Sequence, residues 1–115
     1  MSPAVLVVLL ISVVGGAFVV LGMRPDIKGA DARRLVAGGA KLVDVRTPAE
    51  FASGHVPGAV NIPLDALERR LAELGPRDGA IILYCASGAR SGQAKRMLAS
   101  KGFASVHNMG AMSAW

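Results

Sequence analysis

Apolar positions follow two regimes along the chain. Residues 4–21 have Ser12 as their only polar side chain, whereas beyond Arg24 apolar residues come in short groups interrupted by charge, glycine and proline. The first regime predicts one continuous helix. At roughly 1.5 Å per residue it spans about 27 Å, close to the hydrocarbon core of a bilayer. A transmembrane helix within residues 1–23 satisfies its own backbone, as lipid demands, and Gly15 and Gly16 are tolerated better there than in a soluble helix.

The second regime predicts helices alternating with strands. A short helix over 29–39, with Leu35 and Val36 as its apolar contacts, is stopped by Gly38-Gly39. Lys41-Leu42-Val43-Asp44-Val45 is a short strand, and Thr47-Pro48 opens a helical turn carrying Glu50 and Phe51 that Gly54 ends. After the turn residues Gly54-His55-Val56-Pro57-Gly58, a strand at Ala59-Val60-Asn61-Ile62 stops at Pro63. Leu64, Leu67, Leu71 and Leu74 repeat at helical spacing, with Asp65 and Glu68 resembling a capping box and Gly75-Pro76 closing the segment. Ala80-Ile81-Ile82-Leu83-Tyr84 is apolar at every position, as in the central strand of a parallel sheet covered on both faces. A helix over 91–101 buries Ala94, Met97 and Leu98 before Gly102, and 104–107 supplies a last short strand. The alternation predicts an α/β domain over 24–115, whose ligands bind beyond the carboxyl ends of its strands.

Charge sharpens the division. The formal charge of +5 belongs wholly to the part beyond residue 23, but its basic residues are scattered and aromatic residues make up 4%, which argues against nucleic acid as a partner. Arg24, Lys28, Arg33 and Arg34 follow the apolar stretch closely, while Met1-Ser2-Pro3 has none of the basic start of a signal peptide. The positive-inside rule then predicts a single-pass inner-membrane protein with its C-terminal domain in the cytoplasm. The single cysteine excludes a disulfide within the chain and a cysteine-based metal site, and His55 and His107 lack metal-ligand spacing. Neither a metal nor another cofactor is implied.

That lone Cys85 stands where a predicted central strand meets a helix, the position at which sites form in such domains. The loop Cys85-Ala86-Ser87-Gly88-Ala89-Arg90 has only small residues between its ends, so its amides can turn inward around a sulfur. Those dipoles, the helix N-terminus and the charge of Arg90 are expected to lower the thiol pKa and to stabilise a thiolate or persulfide. The chemistry further requires a sulfur that small molecules can reach. The alternative for a free cysteine is a small buried hydrophobe.

Several motifs together carry a resemblance. Leu42-Val43-Asp44-Val45-Arg46, Glu50-Phe51, Gly54-His55-Val56-Pro57-Gly58-Ala59-Val60-Asn61-Ile62-Pro63, Cys85-Ala86-Ser87-Gly88-Ala89-Arg90-Ser91, Gly102-Phe103 and the terminal residues 110–115 resemble the rhodanese domain in order and spacing, from about Ile27 onward. The resemblance implies a rhodanese-like parallel sheet with helices on both faces. It also implies a sulfurtransferase in which Cys85 forms the persulfide and Arg90 closes the loop, with Ala86, Ser87, Gly88, Ala89 and Ser91 cradling substrate. By the same resemblance Asp44, Arg46, Glu50 and His55 brace the site. A small donor such as thiosulfate and a thiol, thioredoxin-like or cyanide acceptor are its implied partners. Related phosphatases have five residues between cysteine and arginine where this chain has four, which favours sulfur over a phosphoryl group. Ala86 stands where thiosulfate-using relatives often carry a basic or polar residue, so thiosulfate is expected to be a weak donor. Relatives often show two glycines where this chain has Gly110 alone, and the chain stops at Trp115 without the usual tail. A second reading, from another class, is a membrane-tethered binding or regulatory module without significant turnover.

Overall fold

The computed structural model describes residues 24–115 and the backbone of two short strands before them, Ser12–Val14 (β1) and Ala17–Val19 (β2). These two pair antiparallel, with Val14 opposite Ala17. The single helix expected over this stretch is therefore not formed at these residues, and the rest of that expectation lies outside the described residues. The β-branched and aromatic residues Val13, Val14, Phe18 and Val19 favour extended backbone. Among the described residues no helix is long and apolar enough to cross a membrane.

From residue 24 onward, helices α1 (Gly29–Ala37), α2 (Pro48–Ala52), α3 (Leu64–Leu67) and α4 (Ala89–Ser100) alternate with strands β3 (Lys41–Asp44), β4 (Val60–Asn61), β5 (Ile81–Cys85) and β6 (Val106–Ala111). The four strands form one parallel sheet in the order β4-β3-β5-β6. The predicted central strand is thus an inner one, and all five of its residues are buried. Its period of two divides the core. Ile81, Leu83 and Cys85 face Val43, Val45, Leu67, Ala94 and Leu98 on one side, and Ile82 and Tyr84 face Ala32, Leu42, Val56 and Met109 on the other. Each large aliphatic side chain buried this way contributes roughly 1.5–3 kcal/mol, which makes β5 the element that both layers depend on.

Two of the helices depart in detail from the pattern read in the sequence. In α1 the buried residue is Ala32, with Val36 packed beside it, while Leu35 is 38% exposed, because the face set by Ala32 and Val36 turns Leu35 outward. The leucine-rich helix is α-helical only over Leu64–Leu67 and continues as a 3₁₀ helix over Glu68–Leu74, with Arg70 out of helical geometry (φ −118°, ψ 24°). Positions three apart eclipse in a 3₁₀ helix, so Leu71 and Leu74 still reach the core. The Asp65–Glu68 capping box does not form, since Pro63 occupies the N-cap and offers no side-chain acceptor.

The last strand is longer than expected and contains a bulge, Leu83 pairing with Asn108 and Tyr84 with Gly110. The buried Asn108 is satisfied at long range. Its backbone N–H donates to Asp26 Oδ1 (3.0 Å), its carbonyl accepts from Asp26 N–H (2.8 Å), and its Oδ1 accepts from Gly110 N–H (2.9 Å). Gly110 has φ +90°, and a Cβ there would stand 2.7 Å from Pro25 Cγ. Trp115 packs against the same face of the sheet as Tyr84, and its carbonyl accepts from Arg33.

Candidate active site

Cys85 ends β5 with its side chain on the face covered by α4. Gly88, at φ +97°, reverses the chain into that helix, a conformation for which glycine has no steric penalty, and a Cβ there would stand 3.2 Å from Gly110 Cα. The turn aims the first amides of α4 at the sulfur. Cys85 Sγ accepts from Gly88 N–H (3.0 Å) and Ser91 N–H (3.4 Å) and lies 3.3 Å from Ser91 Oγ. Gly88 itself offers no side-chain cap to α4. The sulfur takes that place, satisfying amide donors that have no partner within the helix.

The electrostatic result is a balance. Burial pushes the Cys85 thiol up, but the Ser91 hydroxyl, followed by the amides of Ser91, Gly88 and Ser87, outweighs it and leaves the thiol below its ordinary value. The expected lowering is therefore present. The expected access is not, because Cys85 is 0% exposed. The loop arches from Cys85 through the exposed Ala86 and Ser87 back to the buried Gly88, whose N–H donates to the sulfur, and Cys85 packs within the apolar core. The same turn that brings the amides into contact with the sulfur closes it off from solvent.

Arg90 is half-buried and bound to a carboxylate, Nη1 to Glu50 Oε1 at 2.6 Å and Nη2 to Glu50 Oε2 at 2.9 Å. Glu50 has a second task. Its Oε1 accepts from Thr47 N–H (3.0 Å) while Thr47 Oγ1 accepts from Glu50 N–H (3.2 Å), a reciprocal cap that starts α2. The Arg90 guanidinium, then the Thr47 amide, hold the Glu50 carboxyl down to about 2. Thr47-Pro48-Ala49-Glu50 has the capping-box form in the sequence, and that signal could have placed Glu50 at the start of α2. Its pairing with Arg90, 40 residues away, has no local signal.

The other anticipated bracing residues lie behind the site. Asp44 and Arg46 form a buried pair, with Arg46 Nη2 2.7 Å from Asp44 Oδ2 and also donating to the Gly54 carbonyl at 2.6 Å. Asn61 Nδ2 donates to the carbonyls of both Asp44 (3.0 Å) and Arg46 (2.9 Å), which ties β3 to β4. His55 stacks on Phe51 with 3.6 Å between ring centroids, and its Nδ1 lies 2.8 Å from the Phe51 carbonyl. Tyr84, on the far face of the sheet, is pushed up to about 12 by burial, and its hydroxyl accepts from Val56 N–H at 3.1 Å. Ala86 and Ala89 donate no hydrogen bond to the sulfur. Among the described residues no three of His, Cys, Asp and Glu gather as metal ligands.

A cavity of about 470 Å³ opens at the carboxyl ends of β3 and β5, lined by Val45, Thr47, Pro48, Pro63, Leu64, Asp65 and Arg90. Cys85 does not line it. Val45 stands next to Cys85 on the same face of the sheet, its N–H donating to the Tyr84 carbonyl at 3.1 Å. Asp65 was not anticipated in the sequence as a residue of the site.

Residues 29–115 match the rhodanese-like domain family. The chain is 44% identical over 75 residues to a sulfurtransferase of Allochromatium vinosum, covering 64% of this chain and 69% of that protein. It is 39% identical over 71 residues to the thiosulfate sulfurtransferase PspE of Escherichia coli, covering 61% and 68%. Its fold is similar to that of the human single-domain sulfurtransferase TSTD1, at a TM-score of 0.68 and 30% identity, over 80% of this chain and 95% of that one. With its Cys85-to-Arg90 turn at the carboxyl end of an inner strand of a parallel sheet, this chain belongs to the rhodanese-like domain family.

Proposed function

We propose that the domain is a sulfurtransferase that carries a sulfane sulfur on Cys85 as a persulfide. The observation that carries this reading is the cap on the sulfur: two amides at the start of α4 and the Ser91 hydroxyl favour its anionic form. The Cys85 thiolate attacks the outer sulfur of thiosulfate or of a persulfide donor. The donor's S–S bond breaks, and sulfite, or a thiolate, leaves with the electron pair. A thiol, a thioredoxin-like dithiol or cyanide then attacks the outer sulfur of the Cys85 persulfide, and the bonding pair returns to Cys85. Attack requires the arch of Ala86 and Ser87 to lift. Arg90 closes the far end of the loop with its guanidinium held by Glu50, and only exchange of that contact for the donor's own oxygens would free its charge for the leaving anion.

The test is thiosulfate:cyanide transfer by the full chain beside Cys85→Ser, with intact mass of the enzyme after exposure to thiosulfate and to polysulfide. A gain of one sulfur that Cys85→Ser loses supports the proposal. No gain with either donor sinks it. The closed sulfur and the occupied Arg90 favour one second reading, a binding module whose partner recognises this face, and that reading predicts no gain.

The proposal includes attachment to the inner membrane with the domain in the cytoplasm, supported by the apolar residues 4–21 and the basic residues after them. An isolated β1–β2 hairpin leaves edge amides that water satisfies and lipid does not, so a membrane would require helix there. Recovery of the full chain in the soluble fraction of lysed cells would overturn this part.

A further inference from the structure

We infer that Asp65 is a specificity-determining residue, selecting organic thiols or persulfides that carry an ammonium group for the cavity beside Arg90. The inference rests on the sulfur-transfer reading of Cys85 and names the class of molecule that reading leaves open. A cavity of about 470 Å³ walled by Val45, Pro48, Pro63 and Leu64 offers room and apolar contact to an alkyl chain, which an inorganic dianion such as thiosulfate does not use. Its charge points the same way. Arg90, the one cation lining it among the described residues, is already neutralised by Glu50 through two hydrogen bonds. The Asp65 carboxylate is exposed and has no hydrogen-bond partner among the described residues. Arg69 reaches only the Asp65 backbone carbonyl (3.1 Å) and does not line the cavity.

Among the described residues the cavity therefore presents one carboxylate that no ion pair engages, and Val45 joins its wall to the core that holds Cys85. An incoming anion meets repulsion there. A thiol with an ammonium three or four bonds from its sulfur can meet Asp65 while its alkyl part lies on Leu64 and Pro63. In the transfer step its thiolate attacks the outer sulfur of the Cys85 persulfide, the S–S bond breaks with its electron pair returning to Cys85, and an organic persulfide leaves.

The experiment uses full-length protein and Asp65→Asn, both preloaded with polysulfide, with persulfide loading checked by intact mass. Discharge rates are then measured for cysteamine, 2-mercaptoethanol and mercaptoacetate. Taking the ratio of variant to wild type for each thiol removes the thiols' differing intrinsic reactivity. Asp65→Asn is expected to slow cysteamine about threefold and to speed mercaptoacetate about threefold, relative to mercaptoethanol, the range of a solvent-exposed charge pair. Both effects should shrink at high salt. Equal ratios for the three thiols overturn the inference about Asp65 while leaving the Cys85 persulfide standing. Failure to load either protein overturns the persulfide reading and this inference with it.

Discussion

Replacing Ser91 by alanine tests the origin of the Cys85 anion most directly. The hydroxyl has one proton and two neighbours, Cys85 Sγ at 3.3 Å and the Gly88 carbonyl at 3.2 Å. While the sulfur is a thiol, its S–H donates to Ser91 Oγ and the hydroxyl donates to Gly88. Once the thiol ionises, the hydroxyl proton turns to the sulfur and the Gly88 carbonyl gives up its partner. The preference for the anion is then the difference between a charge-assisted bond and a neutral one, about 1 kcal/mol, equal to about fivefold in thiolate population. The amides of Gly88 and Ser91 remain in Ser91→Ala, so the lowering is reduced and not abolished. Iodoacetamide alkylation followed by intact mass reads a single site, because the chain has one cysteine. Opening of the arch scales the rate equally at every pH and leaves the midpoint of the pH profile in place. Ser91→Ala should move that midpoint upward and slow alkylation about fivefold on the acid side. A midpoint that stays put or falls would refute the role given to the hydroxyl.

Two other perturbations test the frame around the sulfur. Asp44→Ala strands the buried Arg46 guanidinium and should cost about 3–5 kcal/mol in urea unfolding, with much of the loss recovered in Asp44→Leu/Arg46→Met. Glu50 has a folded-state pKa below its unfolded one. The stability from its contacts with Arg90 and Thr47 is therefore fully present above the ordinary carboxylate value and is lost as pH falls toward about 2. Melting temperatures of Glu50→Gln should accordingly be lower than wild type at neutral pH, and the two should converge in acid.

What the sequence made legible was whatever a local pattern determines. Five consecutive buried residues announce β5, and a run of small residues between Cys85 and Arg90 announces a tight turn into a helix. The choice of a 3₁₀ helix after Leu67 was not visible, since leucines spaced three and four apart suit either winding. The length of β6 was hidden for a different reason. Asn108 and Gly110 read as loop residues, and only partners more than 80 residues away, Asp26 and Pro25, make them strand residues. Leu35 shows the limit of hydrophobicity alone, because small Ala32 took the buried position. At the site, the amides and the lowered thiol pKa followed from loop composition. The closure of the sulfur, the Glu50 contact to Arg90 and the place of Asp65 depend on segments that meet only in three dimensions.

The segment from Arg24 to Ile27 bears on how the domain meets other chains. β6 is an outer strand, and Asp26 occupies the outward N–H and C=O of Asn108 at its centre, while the opposite margin, β4, is only two residues long. Neither border of the sheet offers a foreign strand a row of free peptide groups. Removing that segment would bare one border, and self-association of the trimmed domain is the behaviour to watch for.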